Sequence, residues 1–161
     1  MSLFGWPKQW QLKRVFNSKT TKPKTMIKKI LSTKINDTQV NIALLLLRVT
    51  AGVLMANHGY QKLTNFADIE PKFMEFMGLS KGISLGLVVF SEFFCSLLLV
   101  AGLATRFALV PLIITMMVAV FDAHSGEIFG KGETAFLYLA IYVTLLLKGA
   151  GKYSADGFFA R

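Results

Sequence analysis

Nine side chains in this sequence carry chemistry at informative positions: Arg48, His58, Lys62, Glu92, Asp122, His124, Glu133, Tyr138 and Tyr142. Glu92 is the only charge in the 24 residues from Gly82 to Thr105, and Arg48 the only one in the 21 from Val40 to Tyr60. A carboxylate in that much apolar sequence must pair, bind a cation or ligand, or take a proton. Glu92 is therefore the leading candidate for a catalytic proton carrier, with the imidazole of His58 as the second. Arg48, Lys62, Tyr138 and Tyr142 supply hydrogen-bond donors and are the candidate ligand-binding groups. Arg48 has two readings: it snorkels to the nearer end of its segment, or it reaches Glu92. Asp122, His124 and Glu133 make a secondary polar cluster, expected to lie near His58 and Lys62. Two histidines on different segments have the count a haem needs, but neither has a spacing motif. No metal site is assigned, and polar caps at helix ends are the reading.

Composition says what surrounds these groups. The chain has 161 residues, 53% of them apolar and only 17% charged, where an ordinary soluble domain carries roughly 25% charged residues. A water-soluble globule and a disordered chain are both excluded by that balance. A single cysteine, Cys95, excludes an intramolecular disulfide framework, a CxxC redox pair and a thiolate zinc site within one chain. It reads as a small packing residue. No nucleophile, phosphate-loop or zinc motif is present, which argues against a soluble enzyme.

Eighteen basic residues against nine acidic ones give +9, and the excess is not spread evenly. Residues 1–40 hold nine basic side chains and one acid, Asp37, for +8. The basic excess thus belongs to a leader, and no nucleic-acid partner is implied. Without an early apolar core or a small-residue cleavage pattern, the leader is not a removable signal peptide. Met26, Ile27, Ile30, Leu31 and Ile35 recur at helical spacing among lysines, which predicts a basic amphipathic helix on an anionic membrane surface. Trp6 and Trp10 can anchor a second interfacial segment; the alternative for residues 1–25 is a disordered basic tail that obeys the positive-inside rule.

Four apolar segments follow: Val40–Tyr60, Gly82–Thr105, Phe107–Phe121 and Thr134–Leu147. The first two have the roughly 20 residues that cross a bilayer. The other two have 15 and 14, and span by drawing in their flanks or thinning the lipid. The expected fold is an all-α, integral membrane four-helix antiparallel bundle with a basic N-terminal amphipathic extension. Residues 1–40 form the leader, 41–156 the membrane domain and 157–161 a short tail. Basic residues before helix 1, at Arg106, and at Lys148, Lys152 and Arg161 place both termini in the cytoplasm, across a bacterial inner membrane. In the loop after helix 1, Pro71 is expected to start a short helix that Gly78 ends. Inward-facing stripes are read at Ser84, Ser91, Cys95 and Gly102, at Arg48, Gly52, Met55, Gly59 and Lys62, at Pro111, Thr115 and Asp122, and at Thr134, Tyr138 and Tyr142.

Arg48, Gly52, His58-Gly59-x-x-Lys62-Leu63, Phe66, Gly78-Leu79, Glu92, Leu99-Val100-x-Gly102-Leu103-x-Thr105-Arg106 and Gly149-x-Gly151-Lys152-Tyr153-Ser154-x-Asp156 together resemble the DoxX family of small four-helix membrane proteins. The likeness covers about residues 42–156, with Ala155 where leucine is common. The family is named for a thiosulfate:quinone oxidoreductase subunit. The resemblance therefore implies a membrane subunit of an oxidoreductase, transferring electrons or protons to quinone with a protein partner; the alternative is a non-catalytic anchoring or accessory subunit of a larger membrane complex. A quinone needs an apolar slot with one or two donors near the membrane surface, and His58, Glu92, Tyr138 and Tyr142 are the groups expected to supply them.

Overall fold

The structure is a computed structural model that describes residues 36–159. The expected leader, including the helix of Met26 to Ile35 and the Trp6–Trp10 pair, lies outside the described residues. Six helices follow: α1 (Asp37–Thr64), α2 (Phe66–Ile69), α3 (Lys81–Ala101), α4 (Thr105–Ala123), α5 (Glu133–Lys148) and α6 (Ala155–Phe159). No strand occurs among the described residues. Three of the helices, α1, α3 and α4, are long and apolar enough to cross a membrane. α5 is apolar between a charged residue at each end but has only 16 residues, roughly 24 Å of axis. This is a multi-pass, all-α membrane protein.

Local chemistry sets the helix limits. Asn36 caps α1, its side chain accepting from Thr38 N at 3.1 Å, which satisfies one of the orphan donors of the first turn. α3 starts at Ser80, whose hydroxyl accepts from Ile83 N. It stops at Gly102, which turns left-handed at φ +67°, a backbone that glycine reaches without a Cβ penalty. α4 runs through Pro111, which has no N–H to offer Phe107 and so weakens that turn. Two helices contain a wider turn with i→i+5 bonding, Phe90–Cys95 in α3 and Ala119–Ala123 in α4.

The core lies where the long helices meet. Leu99, Leu109, Leu112 and Leu145 are wholly buried with Tyr142, while Leu46, Phe107 and Leu147 point outward. An apolar exterior of this kind is costly in water and neutral in lipid. Glycines bring α1 onto α3. A Cβ at Gly52 would meet Val100 Cγ2 at 2.6 Å, and one at Gly59 would meet Phe93 N at 2.5 Å. Seven residues apart, they share one face of α1 and let the two backbones touch.

Several expected positions differ. The loop helix lies before Pro71: α2 is followed by a tight three-residue turn, Glu70–Lys72, and the chain is extended at Phe73. Gly78, at φ +78° beside Met77 at φ +50°, forms a turn rather than a helix end, because no helix precedes it directly. The α3 stripe of Ser84, Ser91, Cys95 and Gly102 is buried throughout, but Asp122 and Thr134 face outward. The wide turn at Ala119–Ala123 contains Asp122 and breaks the helical period on which its stripe was counted.

Candidate functional site

Lys62 and Glu92 form an ion pair between α1 and α3. Lys62 lies in the last turn of α1, three residues after Gly59 and on the same face. Gly59 rests on the backbone of Glu92 and Phe93, so the contact that brings the helices together also sets the lysine above the carboxylate. Glu92 sits in the wide turn of α3. Such a turn adds a residue to the helix and re-aims the side chains after it, a device common at functional sites. The Glu92 side chain is 6% exposed and that of Lys62 30%. The acid is thus enclosed, and its partner reaches the surface.

Tyr142, from α5, is wholly buried with its hydroxyl near the Glu92 charge and beside Ser96. Neither that hydroxyl nor Ser96 Oγ nor Ser91 Oγ finds a hydrogen-bond partner. A buried polar atom left unpaired costs about 1–3 kcal/mol, so these three hydroxyls leave the interior on the Glu92 turn of α3 and the facing α5 with unsatisfied polar atoms. Tyr138 packs against Tyr142 with ring centroids 5.8 Å apart.

Arg48 does neither of the two things expected of it. It is 2% exposed, so it does not snorkel, and it lies at the opposite end of the bundle from Lys62. Its Nη2 donates to the Tyr153 carbonyl at 2.9 Å, and its Nη1 occupies the space over Gly102 where a Cβ would fall 1.4 Å away. The physical reason is the segment after α5, which folds back across this end. Asp156 accepts from Ala104 N and Thr105 N, both at 2.8 Å, and its own N–H donates to Gly102 O at 2.8 Å. Asn41 Oδ1 accepts from Lys152 N at 2.7 Å. This clasp joins the start of α1, the α3–α4 turn and the chain after α5. Burial pushes the Asp156 carboxyl up, but the hydrogen bonds from Thr105 and Ala104, with the Arg48 charge, outweigh it and hold the group below its ordinary value.

The remaining candidates do not converge. His58 is exposed on α1 and makes no side-chain hydrogen bond or ion pair among the described residues. Asp122 and Glu133 are exposed, His124 is half-buried, and no hydrogen bond or ion pair links the three. Among the described residues no three His, Cys, Asp or Glu side chains are placed to hold a metal ion. Ser96 and Asp156 were not singled out from sequence as site residues. Asp156 stands in the closing motif, and Ser96 falls one helical turn after Glu92, the one signal that pointed to it. An apolar cleft of about 290 Å³ opens between α3, α4 and the loop at Phe73–Phe76, with Ser91 and Thr115 in its wall.

The family model for DoxX matches residues 43–125, half of the chain. The chain belongs to the DoxX family. The DoxX match takes in Arg48, Lys62 and Glu92, whereas Tyr142 and Asp156 lie beyond it. No curated protein and no solved structure is a match.

Proposed function

We propose that this DoxX protein is the membrane subunit of an oxidoreductase, moving protons or electrons to a quinone while a partner protein holds the redox centre. The Lys62–Glu92 pair carries this reading. A carboxylate inside a membrane bundle is expensive, and apolar residues of similar volume in place of a buried ion pair are often neutral or stabilising. A pair kept there, beside partnerless hydroxyls, fits proton chemistry better than structure alone. The cleft at Ser91 lies next along α3 to Glu92, and its size and apolar walls suit the head of a lipid-soluble carrier. In this reading Glu92, with Lys62 and Tyr142, replaces the expected set of His58, Glu92, Tyr138 and Tyr142. The partner is required because no cofactor motif is recognisable in the sequence. The inner membrane, with the Arg48 end cytoplasmic, is the proposed setting.

A second reading, an accessory subunit that anchors a larger complex, is favoured by one observation: Phe129, at the tip of the α4–α5 loop, is fully exposed. Purification of the tagged chain in mild detergent, followed by a visible spectrum and lipid extraction, tests both. A co-purifying protein with a redox chromophore, together with extracted quinone, is the expected result. A partner without chromophore or quinone favours the accessory role, and a lone chain without either overturns the oxidoreductase reading.

A further inference from the structure

Glu92, Lys62, Tyr142 and Ser96 differ from the rest of the interior in joining a charge that reaches the surface to buried hydroxyls. Lys62, partly exposed, gives the pair access to the bundle surface. Behind the pair, Tyr142 is wholly buried, with its hydroxyl beside Ser96 and near the carboxylate, and neither hydroxyl has a partner. A hydroxyl without an acceptor is free to turn toward the nearest one that charge makes available. Toward the other end the relay stops. Leu99, Leu109 and Leu145 are wholly buried and offer no proton acceptor. Arg48 lies at that end, held to the Tyr153 carbonyl, and its fixed positive charge repels an approaching proton.

We infer that Glu92, Lys62, Tyr142 and Ser96 form a one-ended proton-holding site, loaded and unloaded through the Lys62 end and closed toward Arg48. In loading, a proton from water bonds to a Glu92 carboxylate oxygen and the ion pair with Lys62 opens, its ammonium moving to the surface. The neutral acid then donates to the Tyr142 oxygen, and Tyr142 in turn to Ser96. Unloading returns the proton to water and re-forms the pair. No electron moves. Lys62 from α1 pairs with Glu92, and Tyr142 from α5, packed against Tyr138, is the titratable group of that helix near the carboxylate. α4, which packs on the same turn, carries its only charges near its ends, at Arg106 and Asp122. The quinone-linked reading gives this site its purpose, but holding a proton depends on neither quinone nor partner.

The test is infrared difference spectroscopy of the full chain in lipid nanodiscs between neutral and acid pH, with no quinone added. The expected result is a deuterium-sensitive protonated-carboxyl stretch that disappears in Glu92→Gln, shifts in Tyr142→Phe and is unmoved in Tyr138→Phe. Proteoliposomes under a membrane potential are expected to pass no more protons than protein-free ones. The absence of the band from folded wild-type protein, its survival in Glu92→Gln, or proton flux through the protein would overturn the proposal. A band without quinone chemistry would instead count against the oxidoreductase reading alone.

Discussion

At the residue scale, the Lys62–Glu92 pair is best judged by breaking one side and then both. Removing Lys62 leaves a charge enclosed at Glu92, a situation that costs roughly 3–5 kcal/mol when a buried pair loses one partner. Lys62→Met is therefore expected to lower thermal stability in detergent strongly. Lys62→Met with Glu92→Gln should recover most of the loss, because no uncompensated charge remains. Thermal unfolding of the single and double variants checks this, and equal loss in both would mean that the pair is not coupled. Both residues were legible in the sequence as candidates, yet their pairing was not. The depth of Glu92 in its helix suggested Arg48 as partner. What the count missed was a carbonyl 105 residues away that claims Arg48 first, and hydropathy holds no information about so distant a contact.

At the scale of elements, the site depends on how closely α1 approaches the wide turn of α3. Gly59→Ala places a methyl group 2.5 Å from Phe93 N, so the helices must part and carry Lys62 away from Glu92. We expect a loss of about 1–3 kcal/mol, as for other overpacked sites, while Gly86→Ala, with nothing within 4 Å of its Cβ, is neutral or slightly stabilising. The wide turn itself was not legible, because an added residue leaves the apolar run unbroken and shows only in the bonding. The clasp is the second element-level device. It holds Ala104 at φ +46°, a conformation costing of order 1–3 kcal/mol in a non-glycine residue, through the Asp156 carboxylate. Because that carboxyl titrates lower folded than unfolded, its contribution is complete above the ordinary carboxylate value of 3.8 and disappears as pH falls through the folded one. Hydrogen exchange of residues 149–159 should quicken across that acid window. Asp156→Asn should remove the pH dependence and cost about 1 kcal/mol, as lost helix caps do.

At the scale of the molecule, three of the four apolar segments, those now in α1, α3 and α4, were legible as spans because a crossing of lipid writes itself as length and apolarity, while α5 was legible as an apolar helix only. Their ends moved by a few residues, where caps rather than hydropathy decide. The clasp brings Arg48, the turn before Arg106, and Lys152 to one end, so basic groups of the described residues gather there. Lys62, Lys72, Lys81 and Lys131 belong to loops and ends with acids among them. If the basic end is cytoplasmic, an amine reagent that cannot cross the inner membrane should label Lys72, Lys81 and Lys131 in cells with a permeable outer envelope, and spare Lys148 and Lys152 until the cells are broken. The reverse pattern would invert the bundle.

The most direct test of the central claim, the proposal that an intramembrane acid serves quinone-linked chemistry, is the rate of quinone reduction in native membranes containing the chain. Wild type and Glu92→Gln should be compared at equal protein level. The expected result is a fall of about tenfold to a hundredfold, the scale of losing one proton-transfer group; a rate unchanged by Glu92→Gln would contradict it.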